Sequence, residues 1–211
     1  MITISACLWR ANERSEMFSQ MYDESWVEKL YRAFNRHLTM PFRFVLFVDE
    51  PRRFKLPIEQ RQLTSPKPYS YGCMIEPFSL DQPMILCGLD TLIIRNIDHY
   101  ARYCLEEKPG GTILLPRDPY FTYRTINAIA LVPQGRRDVF DNWNGENDMV
   151  WLRSVHGTNF LDDRWPGEVV SLKFHKVRAV GVDDQARVIY FHGRPKPHQL
   201  GHMALIKEHW V

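Results

Sequence analysis

The chain has 211 residues, 45% of them hydrophobic and 25% charged, with Lys+Arg 27 against Asp+Glu 25 and a formal net charge of +2. A chain of this length can bury a core of its own, and the composition excludes disordered and fibrous classes. The near balance of charge makes no bulk demand for a nucleic-acid or membrane partner, and no run approaches the roughly eighteen apolar residues of a membrane span.

In chain order, residues 2–9 are apolar and β-rich and read as a buried strand. Ser25 to Glu28 has the spacing of a capping box, and Val27, Leu30, Tyr31, Phe34 and Leu38 recur at helical spacing until Pro41. Residues 44–48 are apolar on both faces, as in a central parallel strand. Residues 51–72 are rich in proline and carry Arg52, Arg53, Lys55, Arg61 and Lys67 against Glu59, which reads as a basic loop, solvated or anion-binding. Strands are expected at 83–89, 112–115, 126–132 and 187–191, and helices at 97–107, 138–143 and 148–155. The alternation implies an α/β fold, one domain over residues 1–211, with a mainly parallel central sheet flanked by helices. Cys7, Cys73, Cys87 and Cys104 show no ligand spacing and read as small buried hydrophobes of a reducing compartment. With no basic leader before Ile2, the expectation is a soluble cytoplasmic protein.

Ligands of open α/β sheets lie beyond the carboxyl ends of the strands. Those ends carry Trp9-Arg10, Asp49, Asp90, Arg117-Asp118 and His192-Gly193. Asp90 and His192 can together hold a divalent cation, or can serve as a turn cap and a loop hydrogen-bonder. The segment from His192 to Pro197 adds a glycine, two stiffening prolines, Arg194 and Lys196, the makings of a diphosphate clamp or of a plain surface turn. Asn127 places an amide in an apolar strand, and Asp148 opens a helical pattern. His198 and His202 lie four apart without a third ligand of suitable spacing. There is no GxGxxG after the first strand, no GxxxxGK[ST] and no GxSxG, so a dinucleotide fold, a P-loop and a hydrolase elbow lack support.

Taken in order, several stretches resemble the GT-A glycosyltransferases, small bacterial and phage proteins distantly similar to glycogenin and the lipopolysaccharide galactosyltransferases. They are Tyr31-Arg32-Ala33-Phe34-Asn35-Arg36-His37-Leu38-Thr39, Gly88-Leu89-Asp90-Thr91, Trp165-Pro166-Gly167-Glu168 with Lys173, and Tyr190-Phe191-His192-Gly193-Arg194-Pro195-Lys196-Pro197. The resemblance implies a nucleotide-sugar donor, a UDP-sugar among the candidates, and Mn2+ or Mg2+ bridging its diphosphate. Asp90 matches the second acid of the DxD motif, His192 the metal-binding histidine and Lys196 the lysine facing the diphosphate. Leu8, Trp9 and Arg10 fall where the family receives base and ribose. Asp118, Asn127 and Asp148 fall where the family holds the donor sugar, Asp148 being a candidate catalytic group near the reacting carbon, and Gly193 permits close approach of the backbone to the donor. The resemblance implies retention of configuration and leaves the acceptor open, DNA included. The chain departs at Gly88, where the first DxD acid is missing. That departure also admits a silent nucleotide-sugar binder, and the metal-binding sheet admits a nucleotidyltransferase.

Overall fold

A computed structural model describes residues 1–156, 159–177 and 181–211, with the backbone alone for Phe18 and His156. Strands β1 (Ile2–Leu8), β2 (Phe42–Val48), β3 (Ile58–Gln62), β4 (Met84–Cys87) and β6 (Ile129–Val132) form one sheet in the order β3-β2-β1-β4-β6. The first four run parallel, with Ile4 opposite both Phe44 and Ile85, and β6 is antiparallel to β4. The expected mainly parallel sheet between helices is therefore present.

Every residue of β1 is buried because β1 is covered on both faces. Successive strand residues point to opposite sides. Ile2, Ile4, Ala6 and Leu8 join Phe44, Leu46 and Val48 in a core with α2 (Glu24–His37) and α3 (Asp98–Glu106). Cys7 joins Val45, Phe47, Leu63 and Cys73 in a second cluster. All four cysteines are buried and free.

α2 forms where the 3.6-residue pattern places it, burying Trp26, Val27, Leu30, Ala33 and Phe34. Its cap differs from the expected Ser25–Glu28 box. Asp23 has an extended backbone and its carboxylate accepts from Ser25 N at 2.9 Å, so the helix starts earlier. Glu28 instead pairs with Arg32 at 2.8 Å and accepts from Lys55 N at 3.0 Å. The expected loop at 51–72 contains β3, with Ile58 opposite Phe44. This strand pairs on one edge only, so its side chains are polar and alternation does not announce it. Its basic run is partly neutralised: Arg52 pairs with Asp49 and Glu24, and Arg61 with Glu59. A 3-10 helix over Tyr71–Leu80 follows, also unannounced by the sequence.

A second sheet holds the rest, in the order β5 (Leu92–Ile93), β8 (Val188–Tyr190), β7 (Val169–Ser171). The expected last strand thus exists, shortened, outside the main sheet. Glu168 ties this layer together, accepting from Arg187 Nε at 2.8 Å and meeting His99 Nε2 at 2.7 Å, while Trp165 packs against His99, Tyr100 and Tyr103. The strand expected at 112–115 is reduced to isolated bridges, Leu114 with Leu131 and Leu115 with Phe160. A short helix α1 (Glu16–Ser19) precedes α2, and helices α4 (Asp138–Asp141), α5 (Asp148–His156), α6 (Leu161–Arg164) and α7 (Ala204–His209) follow α3. Among the described residues no helix is long and apolar enough to cross a membrane.

Candidate functional site

Because β1 and β4 are parallel neighbours, their carboxyl ends open on the same side, one delivering Leu8 and Trp9 and the other Gly88 to Thr91. A cavity of about 390 Å3 lies there. Its walls also include Tyr22, Tyr71, Met74, Asn127, Asp148, His192, Gly193 and Lys196. The structure therefore brings together Leu8, Trp9, Gly88, Asp90, Asn127, Asp148, His192, Gly193 and Lys196 from the site expected in the sequence.

Asp90 follows the main sheet and Lys196 the small one, and the two meet in an ion pair between Lys196 Nζ and Asp90 Oδ2. The lysine is 5% exposed and also donates to Phe191 O at 3.0 Å. Gly193, at φ 51°, takes the left-handed backbone that lets the chain turn between His192 and Lys196. Tyr22 walls the same cavity, and burial beside the negative Asp90 pushes its phenol well up.

Asp148 opens α5 and is 3% exposed. Asn127, just before β6, donates to its Oδ2 through Nδ2. Burial dominates and pushes the Asp148 carboxyl up to about 6, against the opposing hydrogen bonds from Met149 N and Asn127. His192 is half-buried, which lowers its pKa, and its Nδ1 lies 2.9 Å from Ser171 Oγ.

Two expected residues stand elsewhere. Arg10 is exposed, pairs with Glu50 at 2.6 Å and does not wall the cavity. Asp118 also lies off the wall and staples a hairpin over residues 116–126: its Oδ1 accepts from Tyr120 N at 2.9 Å and Phe121 N at 3.2 Å, and Arg153 reaches its Oδ2 at 3.4 Å. The hairpin tip exposes Tyr120, Phe121 and Tyr123, and the Tyr120 ring centroid is 5.6 Å from that of His192 and 5.1 Å from that of Phe174. Sequence reasoning missed this aromatic rim, and also Tyr22, Tyr71 and Met74; the cue was the run of Tyr120, Phe121 and Tyr123 beside Pro119.

Asp90 and His192 are the side chains expected to hold Mn2+ or Mg2+. Asp90 Oδ2 is engaged by Lys196, whereas Ser171 occupies only Nδ1 of His192. Among the described residues, no three His, Cys, Asp or Glu side chains gather as ligands of one ion. With glycine at 88 and the one carboxylate, Asp90, paired to an ammonium, the residues present do not fit a divalent cation. His198, the other candidate ligand, packs its ring on Trp26 at 5.4 Å.

No protein-family model matches the chain, and no curated protein matches it. Solved structures do. The glycosyltransferase GlyE of Streptococcus pneumoniae TIGR4 superposes with a TM-score of 0.63 at 9% identity, over 94% of this chain and 56% of that one. Its apo form gives 0.60 at 9% identity, over 92% and 55%. The fold is thus that of a bacterial glycosyltransferase, and the chain spans a little over half the length of that neighbour.

Proposed function

We propose that the chain is a glycosyltransferase that moves a sugar from a nucleotide-sugar donor, with a UDP-sugar the first to test, to a hydroxyl of an acceptor. The observation that carries this reading is one cavity holding both a buried cation, Lys196, and a buried carboxylate of raised pKa, Asp148. Its volume, about 390 Å3, suits a ligand of this size.

Leu8 and Trp9 offer an apolar wall to the base. When the sugar–phosphate bond breaks, negative charge grows on the leaving diphosphate, and a fixed ammonium stabilises it most at that moment. Positive charge grows on the anomeric carbon, and ionised Asp148, oriented by Asn127, stabilises it. We extend the reading to retention of configuration, which the anomeric proton signal of the product tests. The exposed ring cluster at 120–123 is the acceptor side; aromatic faces beside cations also suit the bases of a single-stranded nucleic acid.

Product analysis with a panel of nucleotide-sugars is the test. Release of free nucleoside diphosphate, dependent on Lys196 and Asp148, is the expected result. Pyrophosphate release instead would make the chain a nucleotidyltransferase. Tight donor binding with no release would make it a silent binder, a reading that Gly88 favours.

A further inference from the structure

We propose that the ammonium of Lys196 is the resident cation of this site, so that a nucleoside diphosphate is held without a divalent metal ion. The proposal deepens the donor reading above and rests on it for the identity of the ligand. It begins at residue 88. An acid there would give a second carboxylate beside Asp90, but the chain has glycine, and a Cβ added to it would meet Asp90 Oδ1 at 3.0 Å. Asp90 is therefore alone, and its Oδ2 is already engaged by the ammonium of Lys196.

Charge counting supports the substitution. A divalent ion between two carboxylates is neutral, and so is one ammonium on one carboxylate. Losing one negative charge at Gly88 matches replacing a double charge by a single one. Lys196 Nζ has three donors. One goes to Asp90 and one to Phe191 O, and the remaining one serves the cavity that the residue walls. Seating a metal ion on Asp90 would contest its carboxylate with the ammonium, leaving the buried Lys196 only the Phe191 carbonyl as a partner, which is unfavourable.

The test has two arms on the purified full chain. In the first, Mn2+ is titrated onto the protein and the free ion followed by electron paramagnetic resonance, alone and with UDP. No bound ion at millimolar Mn2+ is expected; binding in the micromolar range by the native protein would overturn the proposal. In the second, UDP affinity is measured by calorimetry in EDTA and in Mn2+. The two should agree within about twofold, and Lys196→Ala should weaken binding at least about tenfold in EDTA. A tenfold or greater tightening by Mn2+, on the order of what one direct ligand contributes, would also overturn it. The double variant Gly88→Asp, Lys196→Ala provides two carboxylates and no ammonium, and should gain the Mn2+ uptake that the native chain lacks. Its fold is checked by circular dichroism, and the native measurements decide the matter even if it fails to fold. A chain that binds no UDP in either buffer refutes the donor reading, while the ion titration without nucleotide still decides this one.

Discussion

The two sheets hold themselves together in different ways. In the five-stranded sheet, β1 and β2 pair over seven residues, and their buried faces supply the cohesion. In the three-stranded sheet no strand exceeds three residues; Leu92, Val170 and Ile189 pack in a cluster of their own and Val169 and Val188 in the main core, and polar ties are added: Glu168 between Arg187 and His99, and Arg95 on the carbonyls of Asp183 and Ala186. The site lies at their junction, since Asp90 trails the first sheet and Lys196 the second. A cavity built on such a joint is fixed on one wall by long paired strands and on the other by short strands whose packing is reinforced by polar ties.

Breaking each sheet in its own way exposes the difference. Ile85→Ala removes a fully buried side chain from β4, and about 3 kcal/mol of stability should go with it. Urea unfolding should remain one cooperative transition with a lower midpoint, because the defect lies in the shared core. Glu168→Ala leaves Arg187 and His99 without their common carboxylate, and about 2 kcal/mol is the expected loss. Here the signature is local: amide exchange should rise in β7 and β8 and stay unchanged in β1. Equal exchange in both sheets after Glu168→Ala would erase the proposed contrast.

The same contrast explains what was legible in the sequence. Continuous apolar runs announced β1, β2 and β4, and the 3.6-residue pattern announced α2, because burial on a regular lattice leaves a period behind. β3 left none: its sequence Ile58-Glu59-Gln60-Arg61-Gln62 is polar and its backbone pairs on one edge. β5 and β7 are too short for any period to show, and β8 was taken for a strand of the main sheet because nothing in Arg187 to Phe191 names its partner. In the site, residue types at strand ends pointed to Asp90 and His192, an amide in an apolar strand to Asn127, and the start of a helical pattern to Asp148. The partnerships were invisible, because pairs such as Lys196 with Asp90 link positions far apart in the chain. Asp118 was misplaced for the same reason, its carboxylate serving its own hairpin.

Asp148 sharpens the comparison from the functional side. Its carboxyl titrates at about 6 in the folded chain, above the ordinary carboxylate range. The folded state therefore binds the proton more tightly than the unfolded one, so this group's contribution to stability is greatest in acid and is lost as pH rises through about 6. Asp148→Asn removes the desolvated charge and should raise stability at pH 8 by about 2 kcal/mol, with the gain vanishing toward pH 4. Turnover in the native chain should rise as pH increases through about 6, and the variant should lose both the rise and most of the rate. A variant that is both less stable and fully active would show that the carboxylate serves packing instead of chemistry.

The smallest expected effect concerns the helix that covers the first sheet. Two side chains compete for the role of N-cap in the sequence, Ser25 and Asp23, and the structure gives it to Asp23, whose Oδ1 accepts from both Ser25 N and Ser25 Oγ. Replacing a working cap by alanine costs about 1 kcal/mol. Asp23→Ala should therefore lose about that much in urea unfolding, whereas Ser25→Ala, which keeps the backbone donor and the carboxylate, should lose less than about half of it. The reverse ranking would restore the Ser25–Glu28 box. A similar loss from Glu28→Ala would point elsewhere, to the pair with Arg32 and the bond from Lys55 N that hold the 51–72 segment against α2. Because the cap is exposed and local, none of these variants should alter donor binding; a change there would mean that the entry to α2 shapes the cavity through Tyr22, which lines it one residue before the cap.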